Sequence, residues 1–263
     1  MTALSERTIT RMLNKVPQVT LAFWVIKIMS TTVGETGADY LAVHVGLGTA
    51  ITGGIMGTLL IASLLIQLRS REYVPWMYWL TVVLVSIVGT QITDALTDGL
   101  GVSLYLSTAV FAVLLAVTSA VWYAYERTLS IHTIVTTRRE LFYWTAILFT
   151  FALGTASGDL ATEALGLGFN VGVLVFGALI AVIYGAYRLG ADAVLTFWLA
   201  YILTRPLGAS LGDLLSQARE YGGLGLGTVV TSAVFLAVIV TLVAMLSIGP
   251  NRPPTLSQAA EEP

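Results

Sequence analysis

Four aspartates, Asp39, Asp94, Asp159 and Asp213, interrupt stretches that are otherwise apolar. Each stands 15 residues after a tryptophan (Trp24, Trp79, Trp144, Trp198) and five after a glycine (Gly34, Gly89, Gly154, Gly208). Four carboxylates brought to one level make a hard-oxygen, electronegative site of the kind that suits Mg²⁺, Ca²⁺ or Mn²⁺. Asp39, Asp94, Asp159 and Asp213 are therefore the expected ion or metal ligands. Thr36, Thr90, Gln91 and Thr155 lie within a turn of them and add neutral oxygens.

The four stretches are not equivalent. Glu35 occurs only in the first, where the others have Thr90, Thr155 and Ala209. Lys27 aligns with Val82, Ile147 and Tyr201, and Arg205 with Thr31, Ser86 and Phe151. Glu35 reads as an added ligand or proton carrier, Lys27 and Arg205 as internal counter-charges. Such asymmetry fits a gated transporter better than an open pore. The bland reading stays beside it: each aspartate could simply hydrogen-bond Ser, Thr or freed backbone at a helix kink, and glycines are ordinary helix-packing devices.

A Gly-Leu-Gly follows each aspartate, at 46–48, 99–101, 166–168 and 225–227. These are not phosphate loops, for they lack the strand-to-helix context and a nearby lysine. Together with the Trp, Gly and Asp spacings they make the chain a fourfold internal repeat. The motif glycines are also expected to let the helices unwind and expose carbonyls, as transporter helices do.

Composition sets the class. Of 263 residues, 56% are hydrophobic and 11% charged, against about 25% charged in a soluble domain. That leaves too few charges to coat a water-facing surface, and the long apolar runs imply an integral membrane protein. There is no cysteine, so disulfides and thiolate metal sites are excluded. No nucleophile–base pair, haem ligand pair or soluble catalytic domain is visible. The expectation is a protein that is not an enzyme, has no resident cofactor and binds no nucleic acid.

The elements follow from the apolar runs. Eight helical spans are predicted, at about 20–45, 49–68, 75–98, 102–125, 141–165, 169–187, 191–216 and 226–248. The expected fold is all-α and integral to the membrane: eight transmembrane helices forming four parallel two-helix repeats around a pseudo-twofold axis. Asp-to-Asp intervals of 55, 65 and 54 residues suggest two halves, 1–130 and 131–248, with 249–263 as a disordered cytoplasmic tail. Ten of the thirteen Lys and Arg lie in the termini or between repeats, which places both termini in the cytoplasm. Each motif tryptophan then reads as an anchor at the inner interface. His44 reads as a wet interfacial residue, with a ligand or proton relay as the alternative. Asp98 and Glu163 read as solvated helix ends, with an outer acidic vestibule as the alternative. His132 reads as a solvated loop residue, and Arg188 with Asp192 as a surface i,i+4 pair.

The motifs Gly34-Glu35-Thr36-Gly37-Ala38-Asp39, Gly154-Thr155-Ala156-Ser157-Gly158-Asp159 and Thr204-Arg205-Pro206-Leu207-Gly208-Ala209-Ser210-Leu211-Gly212-Asp213 resemble those of a bacterial multi-pass family. That family is built from a repeat of unknown function and is usually labelled an uncharacterised membrane-anchored protein. The resemblance covers nearly all of residues 15–250. It implies the repeat architecture and a bacterial inner membrane, and supplies no activity.

Read from the residues, the first expectation is a transporter for a small cation, most of all a divalent metal such as manganese, with proton coupling. The alternatives are a transporter of a small organic solute gripped by Arg205 or Lys27, and a non-transport scaffold or sensor. The partners expected are the lipid bilayer and the small cation, and a homo-oligomer is compatible with the sequence.

Overall fold

The computed structural model describes residues 14–248, apart from the side chains of Glu35, Ala38, Asp39, Val43, His44 and Glu163. The expected tail 249–263 lies outside the described residues. Eight long helices fill the described chain: α1 (Leu21–Asp39), α2 (Gly48–Arg69), α3 (Pro75–Asp94), α4 (Leu104–Glu126), α5 (Thr137–Asp159), α6 (Gly168–Arg188), α7 (Ala193–Ser216) and α8 (Thr228–Ile248). With the short turns that extend them, they begin and end within four residues of the expected spans.

Seven of the eight are long and apolar enough to cross a membrane. The exception is α1, whose qualifying apolar stretch is the shorter Leu21–Gly34. Glu35 and Asp39 follow directly and lower the apolar character of its last turn.

Local signals set the ends. The hydroxyls of Thr20, Ser103 and Thr136 accept from the amides of Phe23, Leu106 and Arg139, capping α1, α4 and α5. Pro75 opens α3, where a missing N–H costs nothing. Asp192 caps α7 through Leu195 N at 2.8 Å, while Arg188 donates to the Tyr184 hydroxyl. The expected Arg188–Asp192 pair is thus replaced: a free helix amide is a better partner for the carboxylate than an exposed guanidinium. In the Gly-Leu-Gly turn at 46–48 both glycines sit at φ near +77°, a region side chains avoid.

The four motif helices α1, α3, α5 and α7 form a closed ring, each touching the next and α7 touching α1. The outer helices do not pack mainly on the motif helix of their own repeat. Helix α2 packs on α3, α4 on α5, α6 on α7, and α8 returns to α1. Each repeat therefore hands its second helix to the next repeat, and the last closes the circle.

One contact recurs all the way round. A Cβ on Gly34 would meet Ser86 Oγ at 2.5 Å, one on Gly89 would meet Phe151 Cβ at 2.8 Å, and one on Gly208 would meet Thr31 Cβ at 2.9 Å. On Gly154 it would overlap the Arg205 side chain, with Cγ at 2.6 Å. Each motif glycine is thus the socket for one residue of the next motif helix. That residue lies eight before the partner's aspartate every time. Helices that lack a side chain at the crossing approach closely, so glycine here means contact. The expected unwinding does not occur: α-helix runs through every motif glycine to the aspartate. The departure comes one residue later, as π-helical turns at Tyr40–His44, Ala95–Gly99 and Leu160–Ala164. π turns concentrate at functional positions.

A second recurring contact lies at the motif tryptophans, ten residues before the motif glycines. Phe23 meets Trp79 at 5.5 Å, Tyr78 meets Trp144 at 5.5 Å, Tyr143 meets Trp198 at 6.4 Å and Phe197 meets Trp24 at 5.7 Å between ring centroids. Trp79 and Trp144 are 2% and 4% exposed. The motif tryptophans are therefore mortar between ring helices rather than interface anchors, because each meets an aromatic ring of the preceding motif helix. Two contacts in the same order along every pair make the four motif helices parallel.

Candidate functional site

Positions four apart on a helix share a face. Counting back from each aspartate in fours gives one stripe per motif helix, and the four stripes stack in layers inside the ring. The first layer is Phe23, Tyr78, Tyr143 and Phe197. The second is Lys27, Val82, Ile147 and Tyr201. The third is Thr31, Ser86, Phe151 and Arg205. The fourth is Glu35, Thr90, Thr155 and Ala209. Every member of the second and third layers is at most 1% exposed.

The two buried cations cross the ring. Arg205 on α7 donates from Nη2 to Thr90 Oγ1 on α3 at 2.7 Å. Its guanidinium has thereby climbed one turn into the layer of Thr90. Lys27 on α1 points its ammonium at the Phe151 ring on α5, 4.0 Å from the centroid, and at the Tyr201 ring, 4.5 Å away. Thr31 Oγ1 stands 3.5 Å from the same nitrogen. Among the described residues Lys27 has no carboxylate within ion-pair distance. The ring thus holds an aromatic plug, then an ammonium, then a guanidinium, then the level of the aspartates.

Asp94, Asp159 and Asp213 are half-buried at that level. The backbones of Glu35 and Asp39 take the equivalent positions on α1, and their side chains lie outside the described residues, as do those of His44 and Glu163. Among the described residues no three His, Asp or Glu side chains cluster closely enough to hold a metal ion. Asp94, Asp159 and Asp213 do not by themselves make a metal centre.

The expected neutral oxygens divide. Thr90 and Thr155 are buried in the fourth layer, and Thr155 donates back to Phe151 O. Thr36 turns outward and hydrogen-bonds Ser232 on α8 at 2.5 Å. The nearest side chain to a Cβ on Gly53, in α2, is that of Gln91, so Gln91 also faces an outer helix. Both stand one position beyond the fourth layer, and a rotation of about 100° per residue carries them off the ring interior. Asp98 and His132 are exposed, as expected.

A cavity of about 690 Å³ opens at the end of the ring away from the aspartates. Trp24, Phe197, Ala200, Tyr184 and Tyr187 line part of it, and neither Lys27 nor Arg205 does.

Two features went unread in the sequence. An aromatic residue precedes every motif tryptophan, as Phe23-Trp24, Tyr78-Trp79, Tyr143-Trp144 and Phe197-Trp198, and that fourfold dipeptide signalled the plug. The other is a buried ion pair between Lys15 and Glu140, 125 residues apart, for which spacing gives no sign.

The four copies of this ring element coincide with four matches, at 22–73, 77–128, 142–189 and 196–248, to the family described as Repeat of Unknown Function (DUF347). The chain belongs to this family. Each family unit spans one motif helix, its Gly-Leu-Gly turn and one outer helix, so the unit of sequence differs from the unit of packing. No curated protein and no solved structure matches the chain.

Proposed function

We propose that this repeat protein spans the membrane eight times and transports a small cation in exchange for protons. The outer faces of α2, α4, α6 and α8 support insertion, with exposed Ile61, Leu65, Val113, Leu174, Val182 and Val240 that lipid would cover. Arg69, Arg71, Arg127, Arg138 and Arg139 cluster at the end of the ring away from the aspartates, which makes that end cytoplasmic under the positive-inside rule. The aspartates then open toward the outside of an inner membrane.

The observation that carries the reading is the column of charge: two fully buried cations directly beneath the aspartate level. A charge held inside a membrane is costly and marks function by default. Arginine keeps its charge at any attainable pH, whereas lysine can release a proton. In this scheme a partly hydrated cation, a divalent metal such as manganese being the expected cargo, is held by the carboxylates. Lys27 releases its proton to water at the far end of the ring as the cargo advances, which offsets one of the two positive charges that a divalent ion brings. Arg205 stays charged, holds α3 to α7 through Thr90, and keeps the route from becoming an open pore.

The second reading is a small organic acid as cargo. Lys27 favours it, because an ammonium flanked by the rings of Phe151 and Tyr201 and lacking a carboxylate among the described residues is suited to receive one.

Uptake into proteoliposomes separates the two. In the cation reading, Asp39→Asn, Asp94→Asn, Asp159→Asn and Asp213→Asn each lose cation uptake, and Lys27→Met abolishes the accompanying proton flux. Loss of organic-acid uptake in Lys27→Met, with cation flux absent throughout, supports the second reading. Wild-type transport in all four aspartate variants makes the aspartates architectural and ends the cation scheme.

A further inference from the structure

The four outer helices cover the ring unequally at the end away from the aspartates. In the half of each helix nearest that end, α2 buries Leu60, Ser63 and Gln67, α4 buries Trp122, and α8 buries Ile239 and Val243. Helix α6 buries nothing there: Gly172 and Phe176, its buried residues, lie in the other half. Ile180 and Ile183 continue the face of Phe176 and line the cavity of about 690 Å³ instead. Leu21 on α1 and Tyr184 on α6 also line it, yet are 81% and 58% exposed. The cavity is therefore a groove open on the flank between α1 and α6, where the fourfold pattern leaves a place unfilled.

The walls suit hydrocarbon. Ile183, Val194, Phe197 and Ala200 are apolar, and the hydroxyls among them are spent on backbone. Thr20 accepts from Phe23 N, Ser130 accepts from His132 N, and Thr196 donates to Asp192 O. From Ala193 to Ala200 the groove follows about 10 Å of helix, within the ~15 Å of hydrocarbon in one leaflet. The mouth is basic. Arg188 donates to the Tyr184 hydroxyl on the rim at 3.1 Å, His132 lines the groove, and Arg127 stands two residues before the wall residue Leu129. The nearby acids are engaged: Asp192 caps α7, and Glu126 holds Arg138 and Arg139. Among the described residues neither Arg127 nor Arg188 is in an ion pair.

We propose that this groove binds one anionic glycerophospholipid of the cytoplasmic leaflet, with an acyl chain between α1, α6 and α7 and the phosphate at Arg188. Beside a bilayer the solvent of an apolar crevice is acyl chain, so the walls account for the chain. The basic mouth accounts for the headgroup, because a basic residue near an anionic lipid contributes about fivefold in binding. Tyr184 and Tyr187 stand at the same end, the interfacial level at which tyrosine and tryptophan collect. The lipid completes the wall that α6 leaves open. The site rests on the membrane reading of the chain and not on its cargo.

The test is native mass spectrometry of the full-length protein released from detergent. It is first equilibrated with equal amounts of phosphatidylglycerol and phosphatidylethanolamine carrying the same acyl chains. Wild type is expected to retain one phosphatidylglycerol per chain, favoured by about fivefold or more. Arg188→Gln, at an exposed position, should keep a lipid and lose about fivefold of that preference. Ala193→Trp and Ile183→Trp fill the groove from α7 and from α6, and each that melts like wild type should lose the retained lipid. Equal retention of the two lipids by wild type overturns the proposal. So does an undiminished preference in Arg188→Gln, or a lipid kept by the folded occluding variants. A wild-type dimer that the occluding variants dissociate gives the groove to a second copy of the chain and overturns it too. Protein that stays in solution without detergent removes the membrane reading together with this site, whereas detergent-dependent protein with no lipid preference removes this site alone.

Discussion

The glycine sockets give the sharpest quantitative test of the ring. In Gly34→Ala the new Cβ would lie 2.5 Å from Ser86 Oγ, 2.9 Å from Ser86 Cβ and 3.3 Å from Ile87 N. Carbon atoms pack best at about 3.5–4.0 Å, so α1 and α3 must part by roughly 0.5–1 Å. A gap of that size forfeits about a quarter to a half of each dispersion contact along the crossing, and overpacking of this kind costs about 1–3 kcal/mol. Alanine returns at most about 1 kcal/mol of helix propensity. The net loss is about 1–2 kcal/mol, a Tm lower by roughly 2–8 °C for a chain of this size. Gly177→Ala is the control, because a Cβ there meets nothing within 4 Å, and it should hold or raise the Tm. The obstructing atoms at Gly34 belong to one side chain, so Ser86→Gly added to Gly34→Ala should recover most of the loss. Melting of the purified variants in one detergent measures all of this. If Gly34→Ala and Gly89→Ala melt with Gly177→Ala, or if Ser86→Gly gives no recovery, the sockets are not what holds the ring.

Three further outcomes are expected. The Tyr78 and Tyr143 hydroxyls share one buried hydrogen bond of 2.5 Å. Either Tyr→Phe variant should cost about 1–2 kcal/mol by stranding the other hydroxyl, and the double variant should cost less than the sum of the two. Lys27→Met should melt at or above the wild-type temperature, since it replaces a buried charge lacking a carboxylate among the described residues with apolar volume; a loss above about 3 kcal/mol, the range for breaking a buried pair, would mean the ammonium has an ionic partner after all. A reporter fused after Pro263 should read cytoplasmic, and a periplasmic signal would reverse the proposed orientation.

Much of the architecture was legible because the repeat is written in residue types. Trp, Gly and Asp at fixed spacing determined the four copies, and unbroken apolar runs determined the helices to within a turn. The difference between Lys27, Glu35 and Arg205 and their counterparts was also plain by alignment. These properties are local, or recur at a fixed interval, so one chain displays them without folding.

The tertiary structure decided what those residues touch. Sequence could not say that each motif glycine is filled by the next repeat's residue eight before its aspartate, because α1 meets α3 across more than 50 intervening residues. Nor could it say that α2 belongs to α3, or that α8 closes on α1. Rotation about the helix axis separated Thr90, which meets Arg205, from Gln91, which faces an outer helix. Lys15 looked like one more terminal basic charge until the fold brought it to Glu140. A sequence fixes which faces of a helix are apolar and which are small. Which neighbour each face finds depends on closing the ring, and that closure is satisfied only when all four repeats are in place.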